Sequence, residues 1–115
     1  MTRSVVLLGK GELCIRVGEW FLGNREYDLH AVVPSIPEPR WTDSLSAWAR
    51  DRDILVVQRG RTEEIPGVMS ADWRADLAFS VFYGRILRPW FIDKCGQVLN
   101  LHNAPLPRYR GVAPV

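Results

Sequence analysis

Asn100 and His102 stand two positions apart at the end of an apolar run, Val98-Leu99-Asn100-Leu101-His102, and Pro105, Pro107 and Gly111 follow closely. Side chains at i and i+2 of a strand project from the same face. An amide and an imidazole would therefore leave this strand together, with Leu99 and Leu101 turned the other way into packing. The prolines fix their own φ and restrict the residue before each, so the loop is expected to be stiff. Gly111 permits a sharp turn directly after Arg110. A rigidly held amide donor beside an imidazole suits one task, the stabilisation of an oxyanion while a proton moves. A single Asn or His near a strand end is more often an ordinary hydrogen-bonding residue than a catalyst; the specificity lies in the whole string.

The elements that must position this pair alternate in type. Residues 4–9 form a β-branched, apolar run ending in glycine, the pattern of a strand buried on both faces. Gly9-Lys10-Gly11 makes a turn, after which Leu13, Val17, Trp20 and Phe21 fall at helical spacing up to the stop signal Gly23-Asn24. A second strand is expected over 27–33, closed by Pro34, Pro37 and Pro39. Thr42 or Asp43 can then cap a short helix with Leu45, Trp48 and Ala49 inward. A third strand over 54–57 precedes a polar loop over 60–70, with one helical turn near 71–74. A fourth strand over 77–82 ends in a Tyr83-Gly84 turn. Pro89 opens a brief helix through Lys94, and a fifth strand covers 97–101.

This order implies an α/β fold, a Rossmann-like parallel sheet of about five strands with helices on both faces. Ligands of such sheets bind beyond the carboxyl ends of the strands, where the strand order reverses. The segments at that edge are 9–12, 34–39, 82–87 and 100–111.

Composition narrows the classes. A chain of 115 residues, 47% of them hydrophobic, makes one domain with a real core. The net charge of +2 is spread without a basic run, which argues against a dedicated nucleic-acid binder. The early apolar run, Val5 to Leu8, is too short for a signal-peptide core or a membrane span, so a cytoplasmic protein is expected. Cys14 and Cys95 show no metal-type spacing and read as reduced thiols; neither a metal nor a disulfide is expected.

The string Asn100-x-His102-x-x-Pro105-Leu106-Pro107-x-Tyr109-Arg110-Gly111 resembles the signature of the folate-dependent formyltransferases. The first strand with its glycine turn and the Tyr83-Gly84-Arg85-Ile86-Leu87 segment fall in family order, so the resemblance covers the whole chain. It implies a Rossmann-like catalytic domain that transfers a formyl group from N10-formyltetrahydrofolate to a primary amine. Asn100 and protonated His102 would stabilise the oxyanion formed when the amine attacks the formyl carbon. The family's third catalytic residue is an aspartate some tens of residues beyond the motif, which tunes the histidine. Neither Asp76 nor Asp93 matches it. The chain is therefore expected to be the front portion of a truncated domain, with two of three catalytic groups and an uncovered sheet edge.

The resemblance also implies that Phe82, Tyr83, Gly84, Arg85, Ile86 and Leu87 form the folate-pocket wall, against the plainer reading of a strand end with Ile86 and Leu87 buried. Gly9, Lys10 and Gly11, with Pro105 and Arg110, would meet the acceptor substrate. The glycine turn opens a helix and offers backbone N–H groups to a phosphate, with Lys10 adding charge; a tight turn with a solvated lysine is the alternative. Trp20 and Trp48 read as packing, and Trp41, in the proline-rich loop, is left open as a stacking residue. Asn103-Ala104-Pro105 departs from the common family form. With Leu8-Gly9-Lys10-Gly11-Glu12-Leu13, this departure looks most like the enzymes that act on nucleotide-linked amino sugars. Methionyl-tRNA is the second choice of acceptor and the only one that involves nucleic acid. From a different class comes a non-catalytic remnant, or a folate- or nucleotide-binding module. The sequence does not settle the oligomeric state.

Overall fold

The central strand is set by four consecutive residues that nothing polar interrupts. In β1 (Arg3–Gly9), Val5, Val6, Leu7 and Leu8 are fully buried, which is possible only for a strand covered on both faces. The structure is a computed structural model and describes residues 2–101. Around β1 lie β2 (Tyr27–Pro34), β3 (Leu55–Val56), β4 (Ala75–Val81) and β5 (Cys95–Leu101), all parallel, in the order β3-β2-β1-β4-β5. The chain builds outward from β1 to β3, then returns to the other side of β1 with β4. The switch point therefore falls between β1 and β4.

Alternation along the strands feeds two apolar layers. Val5, Leu7, Val32, Leu77 and Val81 pack beneath α1 (Gly11–Leu22) and α2 (Leu45–Asp51). Val6, Leu8, Val33 and Ala78 face Ile65, Val68 and Phe91, contributed by the 62–70 connection and α3 (Pro89–Ile92). Helices thus cover both faces, as the alternating pattern implied.

Some local expectations are corrected. The inward face of α1 is Cys14, Gly18 and Phe21, whereas Leu13 and Trp20 are exposed, Trp20 resting edge-on against Phe21 at 5.2 Å. The rotation follows from Gly18. A Cβ there would lie 2.4 Å from Trp48 Cη2, so the bare backbone lets α2 approach. Leu45, Trp48 and Ala49 of α2 point inward as expected, but the cap is Ser44, whose hydroxyl accepts the Ala47 N–H at 3.1 Å and donates to Glu38 Oε1 at 2.7 Å. The Glu38 carboxylate also accepts the Ser46 N–H, which moves the helix start past Thr42 and Asp43. The turn of helix expected near 71–74 is instead a 3-10 turn at Thr62–Glu64. The strand over 54–57 shrinks to two residues, β4 ends at Val81, and β5 begins earlier, at Cys95.

One correction touches the edge. Leu99 and Leu101 turn away from Asn100 as expected, yet they are 41% and 43% exposed, because no helix covers this part of the sheet among the described residues.

Candidate active site

Four strands end level. Gly9 pairs with Pro34 on one side and Val81 on the other, and Val81 pairs with Leu101. The ladder runs one step further, since Ser35 N–H donates to Gly9 O at 2.7 Å, Lys10 N–H to Val81 O at 3.2 Å and Phe82 N–H to Leu101 O at 2.8 Å. This places the glycine turn, the start of the proline-rich loop and the 82–87 segment along one edge. Gly9 is required there, because a Cβ would lie 1.9 Å from Val81 O.

A cleft of about 390 Å³ opens on the α3 side of β4 and β5, a size that suits small-molecule ligands. Tyr83, Gly84, Arg85, Ile86 and Leu87 line one wall; Ser80, Val98, Asn100 and Ile92 complete it. Asn100 and Val98 share this face at i and i+2, and Asn100 is the register partner of Ser80. The sequence's amide and its proposed donor wall thus meet in one cavity. Ile86 is 78% exposed rather than buried, so an apolar side chain stands uncovered at the cleft. A second cleft, of about 580 Å³, lies behind the same wall against Thr62, Glu63, Arg88 and Trp90.

Phe82 does not line the first cleft. Its φ of +58° is a left-handed conformation uncommon for a non-glycine residue, and its ring packs with the layer beneath α1 and α2. Tyr83 goes to the opposite layer and donates its hydroxyl to Gly60 O. Burial pushes the Tyr83 phenol up to about 12, Arg85 pulling it down and Glu63 adding to the rise, so it remains a neutral donor at physiological pH.

The glycine turn lies at the switch point but outside the cleft lining. Lys10 is the N-cap of α1 and makes no side-chain cap bond, and its own N–H is committed to Val81. Glu12 occupies the first helical turn, 4.0 Å from Arg16, and opposes the positive helix end that would attract a phosphate. Trp41 is 84% exposed beside Thr42, whose hydroxyl would lie 3.5 Å from a Cβ at Gly11, so its loop borders the turn. His102, Pro105 and Arg110 lie outside the described residues.

Two serines escaped the sequence reading. Ser80 is buried, 2% exposed, in the cleft lining, and Ser35 is buried at the end of β2, where its hydroxyl accepts the Gly84 N–H at 2.9 Å. A polar residue inside the apolar fourth strand was the available signal for Ser80. A serine after a strand carries no such signal. The thiols sit in the layers: burial raises Cys14 to about 12 and Cys95 to about 11.

A family model described as formyl transferase matches residues 52–115, which is more than half the chain and includes β4, the cleft wall and β5. The chain belongs to the formyl transferase family. Its relatives include a methionyl-tRNA formyltransferase of Fervidobacterium nodosum, 30% identical over 101 residues that cover 83% of this chain and 32% of the relative. Proteins of the same name from Trichormus variabilis and Lacticaseibacillus casei are 32% and 28% identical, each alignment covering 97% of this chain and 36% and 37% of the relative. This formyltransferase-family chain therefore spans about a third of the length of those relatives. No helix among its described residues is long and apolar enough to cross a membrane.

Proposed function

We propose that these 115 residues form the front part of a catalytic, folate-binding domain that transfers a formyl group from N10-formyltetrahydrofolate to a primary amine, the α-amino group of methionyl-tRNA. The observation that carries the reading is the single cleft shared by Asn100 and the 83–87 wall at the carboxyl edge of the sheet. The acceptor rests on the relatives named above, which are methionyl-tRNA formyltransferases. The nucleotide-linked amino sugar favoured by residues 8–13 and 103–105 finds no support among them.

The cleft fits the donor's chemistry. Ile86, Leu87, Ile92 and Val98 supply apolar surface for a flat ring, and the 83–87 backbone and Ser80 supply polar groups at its rim and floor. When bound, the donor supplies an electrophilic formyl carbon. Asn100 then donates an amide N–H to the oxygen on which charge develops, from a strand rather than a loop, so its direction is held by pairing to β4. A donor seated against this wall would displace water from the Asn100 side and strengthen that hydrogen bond. Protonated His102, assigned from the family resemblance, would stabilise the same oxyanion beside Asn100. Gly9, Lys10, Gly11, Pro105 and Arg110 form the acceptor side, with Lys10 contributing a point charge rather than a built phosphate site.

The test is donor binding by calorimetry with the purified protein, and product formation by mass spectrometry with a version extended to the length of its relatives, given N10-formyltetrahydrofolate and methionyl-tRNA beside a parallel assay with a nucleotide-linked amino sugar. Formylated methionyl-tRNA is expected. Formylation of the sugar alone would overturn the acceptor, donor binding without any product would indicate a folate-binding module, and no binding would overturn the reading.

A further inference from the structure

Ser35 hydrogen-bonds to both sides of the switch point. Its N–H donates to Gly9 O at 2.7 Å, on the glycine turn, and its hydroxyl accepts the Gly84 N–H at 2.9 Å, on the cleft wall. It is buried, although the wall it holds is largely exposed. The contact depends on the residue opposite, because a Cβ at Gly84 would lie 2.8 Å from Ser35 Oγ. One residue earlier, the Tyr83 hydroxyl ties the same wall to Gly60 O.

We propose that Ser35 is a positioning residue for the formyl donor, setting the distance between the 83–87 wall and Asn100 through its bond to Gly84. The inference rests on the donor-cleft reading above. The wall leaves β4 through the left-handed Phe82 and reaches α3 with no strand partner, so its placement over the cleft falls to tethers of this kind. Removing the Ser35 hydroxyl leaves the Gly84 N–H without its acceptor and frees the wall to drift from Asn100. An added methyl at Gly84 pushes the wall outward by another route. Both changes act on the same gap, so their effects should not add.

The test is a double-mutant cycle in the purified protein, reading the Kd for N10-formyltetrahydrofolate and the hydrogen exchange of the Gly84 amide. Ser35→Ala and Gly84→Ala are each expected to weaken donor binding about fivefold to tenfold, in line with loss of one hydrogen bond. The double variant should be no weaker than either single one, since alanine at 35 has no γ atom for the new methyl to meet. Ser35→Thr, which keeps the hydroxyl, should restore binding. In Ser35→Ala the Gly84 amide should exchange about tenfold faster while the β1 amides keep their protection. If the wild-type protein binds no donor, the donor-cleft reading fails. If it binds and Ser35→Ala binds equally well, or if the two single effects add fully, the positioning role of Ser35 is overturned.

Discussion

The chemistry of this chain turns on side chains whose direction a strand determines. Asn100 reaches the cleft because β5 keeps its register with β4 from Cys95 to Leu101, and alternation puts Val98 and Asn100 on the cleft face. Asn100→Ala is expected to lower formyl transfer about 100- to 1,000-fold, the usual cost of one oxyanion donor. Thermal denaturation beside the assay separates lost chemistry from lost fold, and the drop in turnover is expected to exceed by far what any shift in the unfolding midpoint accounts for. His102→Ala should remove nearly all turnover; retained activity would take His102 out of the mechanism. That Asn100 leaves β5 at the same sheet edge as residues 82–87 was legible in the sequence from period two and the alternation of elements, whereas the wall itself came from the family resemblance. The tethers Ser35 and Tyr83 were not, since nothing in a serine or a tyrosine announces a backbone partner tens of residues away.

At the scale of elements, the sheet was legible and the fit of the helices was less so. Four of the five strands lie close to where apolar runs between glycines and prolines place them, and the third is cut to two residues. The exposed positions of α1 were misjudged because its apolar residues outnumber the positions that face the core. Its close approach to α2 is made at Gly18, a residue that hydrophobic periodicity does not weigh. Gly18→Ala should drive a methyl into Trp48 and destabilise the fold by about 1–3 kcal/mol, read by chemical denaturation and by a shift in tryptophan emission. Ser44→Ala removes the α2 cap and its link to Glu38, at a cost of about 1 kcal/mol measured the same way. The proline-rich loop ends at that cap, so the change will also loosen the loop that carries Trp41.

Across the whole molecule, protonation and burial are linked most clearly on the alkaline side. Cys14, Cys95 and Tyr83 all have folded pKa values above their ordinary ones of 9.0, 9.0 and 10.0, for the same first cause, burial of the group. The neutral forms belong to the folded state. Above pH 9 the unfolded chain gives up protons that the native chain retains, so the native state loses stability as pH rises from about 9 towards 12. Urea midpoints measured from pH 7 to 11 should be level to about pH 8 and then fall, and Cys14→Ala should flatten the decline. The arrangement of strands has a further consequence for kinetics. Among the described residues β1 is sealed by neighbours on both sides and both faces, while β5 pairs with β4 alone and shows Leu99 and Leu101 to solvent. Among the described strands, the opening free energy should therefore be lower for β5, which carries Asn100, than for β1. On the proposed formyl-transfer reading, the rate would carry a factor for the fraction of time that β5 is closed against β4. A contact that covers Leu99 and Leu101 would raise turnover from the far side of the sheet, without touching either substrate.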